Sequence, residues 1–131
     1  MQLYLINSIR TNNFNDEKTM EKIKTMWEKA SRSLTQHQNS IYGVYYDYET
    51  DYKGNYSLGV GIEDNGTSFI EIPNTEHYKI FSVDTTDEQG ILKAWSRIWS
   101  LEEAGTLKRA YTFDYEKYYP NGEIEIYIAI K

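Results

Sequence analysis

Two identical acidic words, Asp47-Tyr48-Glu49 and Asp114-Tyr115-Glu116, each lie in a tyrosine-rich stretch. A carboxylate set among tyrosines has two chemical uses. It can pair with a cationic ligand whose body stacks on aromatic rings, adding Coulomb attraction to cation–π attraction. It can also serve as a general base toward water, where burial brings its pKa near neutrality. An acid on a solvent-facing edge strand would do neither, and most Asp and Glu residues are exposed. Other chemistries find little support. His37 and His77 form no metal-ligand spacing with each other or with an acid. The chain has no cysteine, which removes disulfides, thiolate nucleophiles and Cys-ligated zinc. No Ser-His-Asp arrangement, phosphate loop or dinucleotide fingerprint is present. No metal and no cofactor are expected.

Composition narrows the partners. At 131 residues the chain suits one domain with a real core, and a second domain would not fit. With 40% hydrophobic and 26% charged residues its balance is globular. A net charge of −6 and no basic run leave no footprint for phosphates, so direct nucleic-acid binding is not expected. The same acidity favours a cation, although acidic surfaces commonly serve solubility alone. The first residues turn polar too quickly for a signal peptide, and no run approaches a membrane span. The expected location is the cytoplasm, where the sequon Asn65-Gly66-Thr67 reads as a turn. Aromatic residues make up 15%, and thirteen of them are Tyr. Tyrosine suits walls that are apolar yet partly wet. It suits a half-exposed sheet face equally well.

The elements that would position these residues can be read from periodicity. Gln2 to Arg10 reads as a strand. Met20, Ile23, Trp27, Ala30 and Leu34 then form one apolar helical stripe, with Asn15 or Asp16 as the cap. Ile41 to Tyr48 and Tyr56 to Ile62 read as strands around a turn at Lys53-Gly54-Asn55. Gly59 and Gly61 inside the second of these mark a bulge or a close backbone approach. Asp64-Asn65-Gly66-Thr67 carries the strongest hairpin signal, followed by a short strand, Phe69 to Ile72. His77 to Val83 is the next strand. Two overlapping capping boxes, Thr85 with Glu88 and Thr86 with Gln89, then open a helix striped by Ile91, Leu92, Trp95, Ile98 and Trp99. Gly105 would stop it. Lys108 to Tyr118 and Glu123 to Ile130 are the last strands, around Pro120-Asn121-Gly122. Strand-helix-strand-strand thus occurs twice. Trp27 and Trp99 lie 72 positions apart and the two acidic words 67, close enough to suggest one unit used twice. The expected fold is α+β, a duplicated β-α-β-β unit with a mainly antiparallel sheet, two helices on one side and a cleft between repeats at about 1–66 and 67–131.

Strand parity assigns faces. Tyr111, Phe113 and Tyr115 point one way, and Asp114, Glu116 and Tyr118 the other. The first set is apolar enough to face the helices, so the second is expected to face away from them. Tyr46 and Tyr48 match the first set; Tyr45, Asp47 and Glu49 match the second. A bulge in either strand would reverse part of this assignment. The tryptophans sit on helix stripes, where core packing is their first role; Trp95 or Trp99 could also wall a pocket.

Ile41-Tyr42-Gly43-Val44-Tyr45-Tyr46, Ile72-Pro73 before Tyr78-Lys79-Ile80-Phe81, Trp95-Ser96-Arg97-Ile98-Trp99, Tyr115-Glu116-Lys117-Tyr118 and Ile126-Tyr127-Ile128 occur in an order that resembles the GyrI-like small-molecule-binding domain. This is the effector-binding module of multidrug-sensing bacterial regulators, also found as a stand-alone protein. The resemblance implies a duplicated strand-helix-strand-strand fold and a cleft that takes bulky, often cationic or planar aromatic compounds. It places Glu116 and Tyr118 on a Phe/Tyr-Glu-x-Tyr motif of that cleft, and Tyr127 on the aromatic of the last strand. The expected ligand site is therefore Glu116 as counter-charge, walled by Tyr45, Tyr118, Tyr127 and Trp95. Some members of that family hydrolyse reactive small molecules with the same glutamate, and others bind gyrase or are fused to a helix-turn-helix. Glu49, leading into a longer polar loop, is expected to have only a structural or rim role.

Overall fold

In the computed structural model, which describes residues 1–63 and 69–131, seven strands and two helices follow one another as β1 (Gln2–Thr11), α1 (Thr19–Ser33), β2 (Ile41–Tyr46), β3 (Tyr56–Glu63), β4 (Phe69–Glu71), β5 (His77–Ser82), α2 (Gly90–Glu103), β6 (Asp114–Tyr118) and β7 (Ile124–Ile130). Strand-helix-strand-strand occurs twice in this order, with β4 between. All strands join one antiparallel sheet, β4-β1-β3-β2-β6-β7-β5. The fold is α+β as expected. β2 and β6 meet at the seam between the halves, with Gly43 opposite Glu116 and Val44 opposite Tyr115.

The sheet cannot be flat. Its outermost strands, β4 and β5, are consecutive in the chain and joined by residues 72–76. Seven strands laid flat span roughly 29 Å, whereas this link reaches roughly 22 Å fully extended. The sheet therefore curls into a half-barrel. Three apolar clusters follow. Met26 and Ala30 of α1 pack on Tyr56, Leu58 and Val60, with Ile23 and Trp27 alongside. Trp95 and Ile98 of α2 pack on Phe81, Ile126 and Ile128. The third cluster, Leu3, Tyr42, Val44, Ile72 and Tyr115 with Tyr46, Tyr78, Phe113 and Tyr127 around it, contains no helical residue and fills the other side of the sheet.

That third cluster overturns the parity assignment. Asp114, Glu116 and Tyr118 face the helices, and Phe113 and Tyr115 face away. The expectation assumed that one face was wet, but both faces are covered, so apolar character does not mark the helix side. Tyr46 follows Phe113 to the far face, where the two rings stack at 6.4 Å. Tyr48 does not follow: Asp47 adopts φ 54°, which breaks the strand and turns Tyr48 toward the helix side. Tyr111, at φ 57°, likewise interrupts the expected strand from Lys108, which is regular only from Asp114.

Several local signals were displaced. Asp16 accepts the Lys18 N–H at 2.9 Å, but α1 starts at Thr19 behind Lys18, with no side-chain cap. Neither capping box forms. Asp84 and Asp87 accept the Thr86 and Gln89 N–H groups instead, and α2 starts only at Gly90. A Cβ there would sit 2.1 Å from the Asp84 carbonyl oxygen, so the start needs glycine. Gly105, at φ 78°, ends α2 as expected. Gly61 and Val60 lie opposite a register shift between Leu5 and Asn7, so the irregularity is in β1, and Gly59 pairs with Ser8 just beyond it. The Asp64-Asn65-Gly66-Thr67 hairpin signal lies outside the described residues; of the flanking strands, β3 pairs with β1 and β2, and β4 with β1. No helix among the described residues is long and apolar enough to cross a membrane.

Candidate functional site

Each helix leans on its own part of the sheet, and a cavity of about 810 Å³ opens between them above the β2–β6 seam. That volume suits a drug-sized organic molecule. Thr19, Met20, Ile23 and Trp27 form the α1 wall, and Ile91, Leu92, Trp95 and Trp99 the α2 wall. Met20 and Leu92 belong to the helical stripes, yet they are 78% and 55% exposed. The gap between the helices leaves one stripe residue in the first turn of each helix exposed at the cavity mouth. Asp16, Glu17 and Glu88 add acid to the lining. Phe14, Tyr52 and Trp99 close one end, with Tyr52 stacked on Trp99 at 5.7 Å.

Glu116 lies in the floor, 4% exposed. One carboxylate oxygen accepts the Tyr118 hydroxyl at 2.7 Å; the other accepts the Tyr45 hydroxyl at 2.8 Å and the Trp95 indole N–H at 2.7 Å. The donors are themselves braced. Tyr118 sets its ring edge-on to Trp27 at 5.1 Å, and Tyr45 does so to Trp95 at 4.9 Å. The carboxylate thus ties α1's aromatic wall to α2's across the seam. Burial first, and then the Glu116 charge, push the Tyr45 and Tyr118 hydroxyls well above the usual phenol range, so both stay protonated as donors. All three donors are neutral. Among the described residues no Lys, Arg or His nitrogen comes within 4.0 Å of Glu116. Gly43 makes room for the cluster: a Cβ there would lie 3.2 Å from both Glu116 Oε1 and the Trp27 ring.

A second polar group flanks the first. Asp114, fully buried, accepts Arg109 Nη2 at 2.8 Å, the Tyr48 hydroxyl at 2.5 Å and the Ala129 N–H at 2.8 Å. Arg109 also lines the cavity, with its guanidinium 4.4 Å from the centre of the Tyr111 ring and 5.8 Å from that of Trp95. Burial alone would lower the Arg109 pKa, but Asp114 and the neighbouring tyrosines outweigh it and hold the charge more firmly than usual. No group of three or more metal-ligating side chains assembles among the described residues.

Of the residues singled out by sequence, Glu116, Tyr118, Tyr45 and Trp95 form one hydrogen-bonded cluster. Tyr127 is a correction. It stacks on Tyr115 at 4.6 Å on the far face of the sheet and does not line the cavity, because β7 turns its isoleucines, not its tyrosine, toward α2. Trp99 reaches the cavity. Glu49 is exposed in the β2–β3 loop, beside Asn55. Sequence reasoning kept Trp27 for the core and passed over Arg109, Tyr48 and Gly43. Gly43, a glycine within a Tyr- and Val-rich strand, was the one legible signal of close approach.

The model of the Cass2 family, "integron-associated effector binding protein", matches residues 6–130. The candidate transcriptional regulator YobU of Bacillus subtilis (strain 168) is 26% identical, over 95% of this chain and 89% of its own. An integron cassette protein from the mobile metagenome of Vibrio cholerae has a similar structure, with a TM-score of 0.76 and 26% identity over 100% of this chain and 90% of its own.

Proposed function

The chain belongs to the Cass2 family of integron-associated effector binding proteins, and we propose that its effector is a bulky aromatic cation held over Glu116. One observation carries this: a buried carboxylate bonded to three neutral donors, facing an aromatic cavity, with no cationic side chain within 4.0 Å among the described residues. A buried charge without a counter-ion is costly, and a cation supplied by the ligand relieves that cost. Trp27, Trp95 and Trp99 provide faces on which its rings and charge are attracted. The exposed acids Glu17 and Glu88 at the cavity draw the same sign of charge inward. The protein acts as a cytoplasmic binding module, and any regulatory output passes through a protein partner.

A cationic triarylmethane dye and its neutral leuco form, titrated by tryptophan fluorescence, test the proposal. Glu116→Gln weakens the dye about 30-fold and leaves the leuco form within about twofold. Equal losses for both would remove Glu116 as counter-charge. Hydrolysis with Glu116 as general base is less well supported by the geometry, since both carboxylate oxygens are already occupied by phenol and indole hydrogens. Turnover of an activated ester that Glu116→Gln abolishes would restore it.

A further inference from the structure

Glu116 offers the cavity a charge but hardly a lone pair. A carboxylate has about four lone-pair positions. Three are taken here: Tyr45 and Trp95 donate to Oε2, and Tyr118 donates to Oε1. Oε1 is crowded as well, since it and the Trp27 ring come so near Gly43 that a Cβ there would lie 3.2 Å from both. The donors are held in place by their rings, Tyr118 against Trp27 and Tyr45 against Trp95. A donor pushed off the carboxylate would be left as an unpaired polar group in a buried setting. Tyr45, Trp95 and Tyr118 all line the cavity. A ligand above Glu116 therefore meets aromatic side chains with the negative charge set among them.

We infer that the positive charge of the effector carries no N–H: it is a quaternary ammonium or phosphonium, or a charge spread over a ring system. This rests on the cation proposal for Glu116 and narrows its ligand class. A protonated amine brings N–H donors that lose water on entering and need acceptors. At the floor the carboxylate positions are largely spent. The phenol oxygens of Tyr45 and Tyr118 are neutral acceptors, weaker than a carboxylate for a charged donor. A cation without N–H has no such need. It is held by Coulomb attraction to Glu116 and by the rings of Trp27, Trp95 and Trp99. Tyr118 is then a specificity-determining residue, because its hydroxyl fills an Oε1 position that a ligand N–H would use.

The test compares three ligands that share a naphthylmethyl body: the trimethylammonium ion, the primary ammonium ion, and a neutral isostere with a quaternary carbon in place of the trimethylated nitrogen. Their affinities are measured by calorimetry at neutral pH. The wild type binds the trimethylammonium ion about tenfold more tightly than either of the others. Tyr118→Phe keeps a ring against Trp27 and frees a position on Oε1. In that variant the primary ion gains about tenfold and the preference between the two ions disappears. A primary ion that matches the trimethylammonium ion in the wild type, or that gains nothing in Tyr118→Phe, would overturn the inference and leave the cation site standing. A neutral isostere that matches the trimethylammonium ion in the wild type would overturn both proposals. Urea unfolding without ligand verifies that Tyr118→Phe is folded. Tyr45→Phe, which frees a position on Oε2, gives the primary ion the same gain by a second route.

Discussion

The two Asp-Tyr-Glu words are identical in sequence and opposite in use. In the second, regular strand geometry buries Asp114 and Glu116 on the helix side and sends Tyr115 to the far face. In the first, the left-handed Asp47 reverses the phase: Asp47 and Glu49 are exposed, and Tyr48 turns inward to reach Asp114. One backbone torsion thus decides which side chains of the word face the helices. The interior residue of the first word serves a carboxylate of the second, so the words work as one unit across the seam.

The contrast can be broken position by position. Asp114→Ala, which strands Arg109 as an unpaired buried charge, costs about 3–5 kcal/mol in urea unfolding, whereas Asp47→Ala, which only places an alanine in the left-handed conformation, costs about 1 kcal/mol. A small loss at Asp114 would mean that the buried ion pair adds little to the fold. The third residues separate by ligand rather than by stability: Glu116→Gln weakens a cationic dye about 30-fold, and Glu49→Gln leaves its affinity unchanged. At the middle position, Tyr48→Phe removes a hydrogen bond to a buried charge and costs about 2 kcal/mol. Tyr115→Phe, whose hydroxyl makes no described hydrogen bond, costs under about 0.5 kcal/mol; equal losses for the two would erase the distinction.

Alkaline titration sharpens the same contrast. Burial, with Asp114 beside Tyr48 and Glu116 beside Tyr45 and Tyr118, raises these phenols above their unfolded value of 10.0. A raised folded pKa stabilises the native state below the unfolded pKa, and that contribution disappears as pH climbs through the folded one. Stability therefore falls from about pH 10 upward, and tyrosinate absorbance from these three appears with unfolding. Glu116→Gln lets Tyr45 and Tyr118 ionise at lower pH without moving Tyr48. The smallest effect runs in the other direction. Asp47→Gly relieves the left-handed residue and gains about 0.5 kcal/mol, whereas glycine at Asp114 destabilises.

Periodicity carried most of the fold. The Trp27 and Trp95 stripes, the Gly105 stop and the paired strand-helix-strand-strand order were legible because each is a local pattern. The faces were not. Which side of β6 meets the helices depends on the curl imposed by the short link 72–76, which buries Tyr42 and Tyr115 on the side away from them. Local polarity therefore misassigned Glu116's direction while still marking it as chemically interesting. Tyr127 was misplaced for the same reason, since the isoleucines of β7 fit α2. Arg109 was illegible because its partner Asp114 is brought to it by the irregular backbone around Tyr111, which no strand pattern describes. The Thr86–Gln89 capping box failed because Asp84 and Asp87 take its two N–H groups.

Among the described residues the two helices share no hydrophobic cluster, and Tyr45 alone packs into both of theirs. In most α+β domains neighbouring helices would be glued by their own side chains. Here that layer of core is left out, and Met20 and Leu92 wait uncovered on either side of the gap. An effector entering it becomes the absent piece of hydrophobic interior, and folding and binding then draw on the same contacts. The width of the gap is set by the bend of the sheet beneath, so a change in that bend would alter the size of molecule the protein accepts without touching a single wall residue.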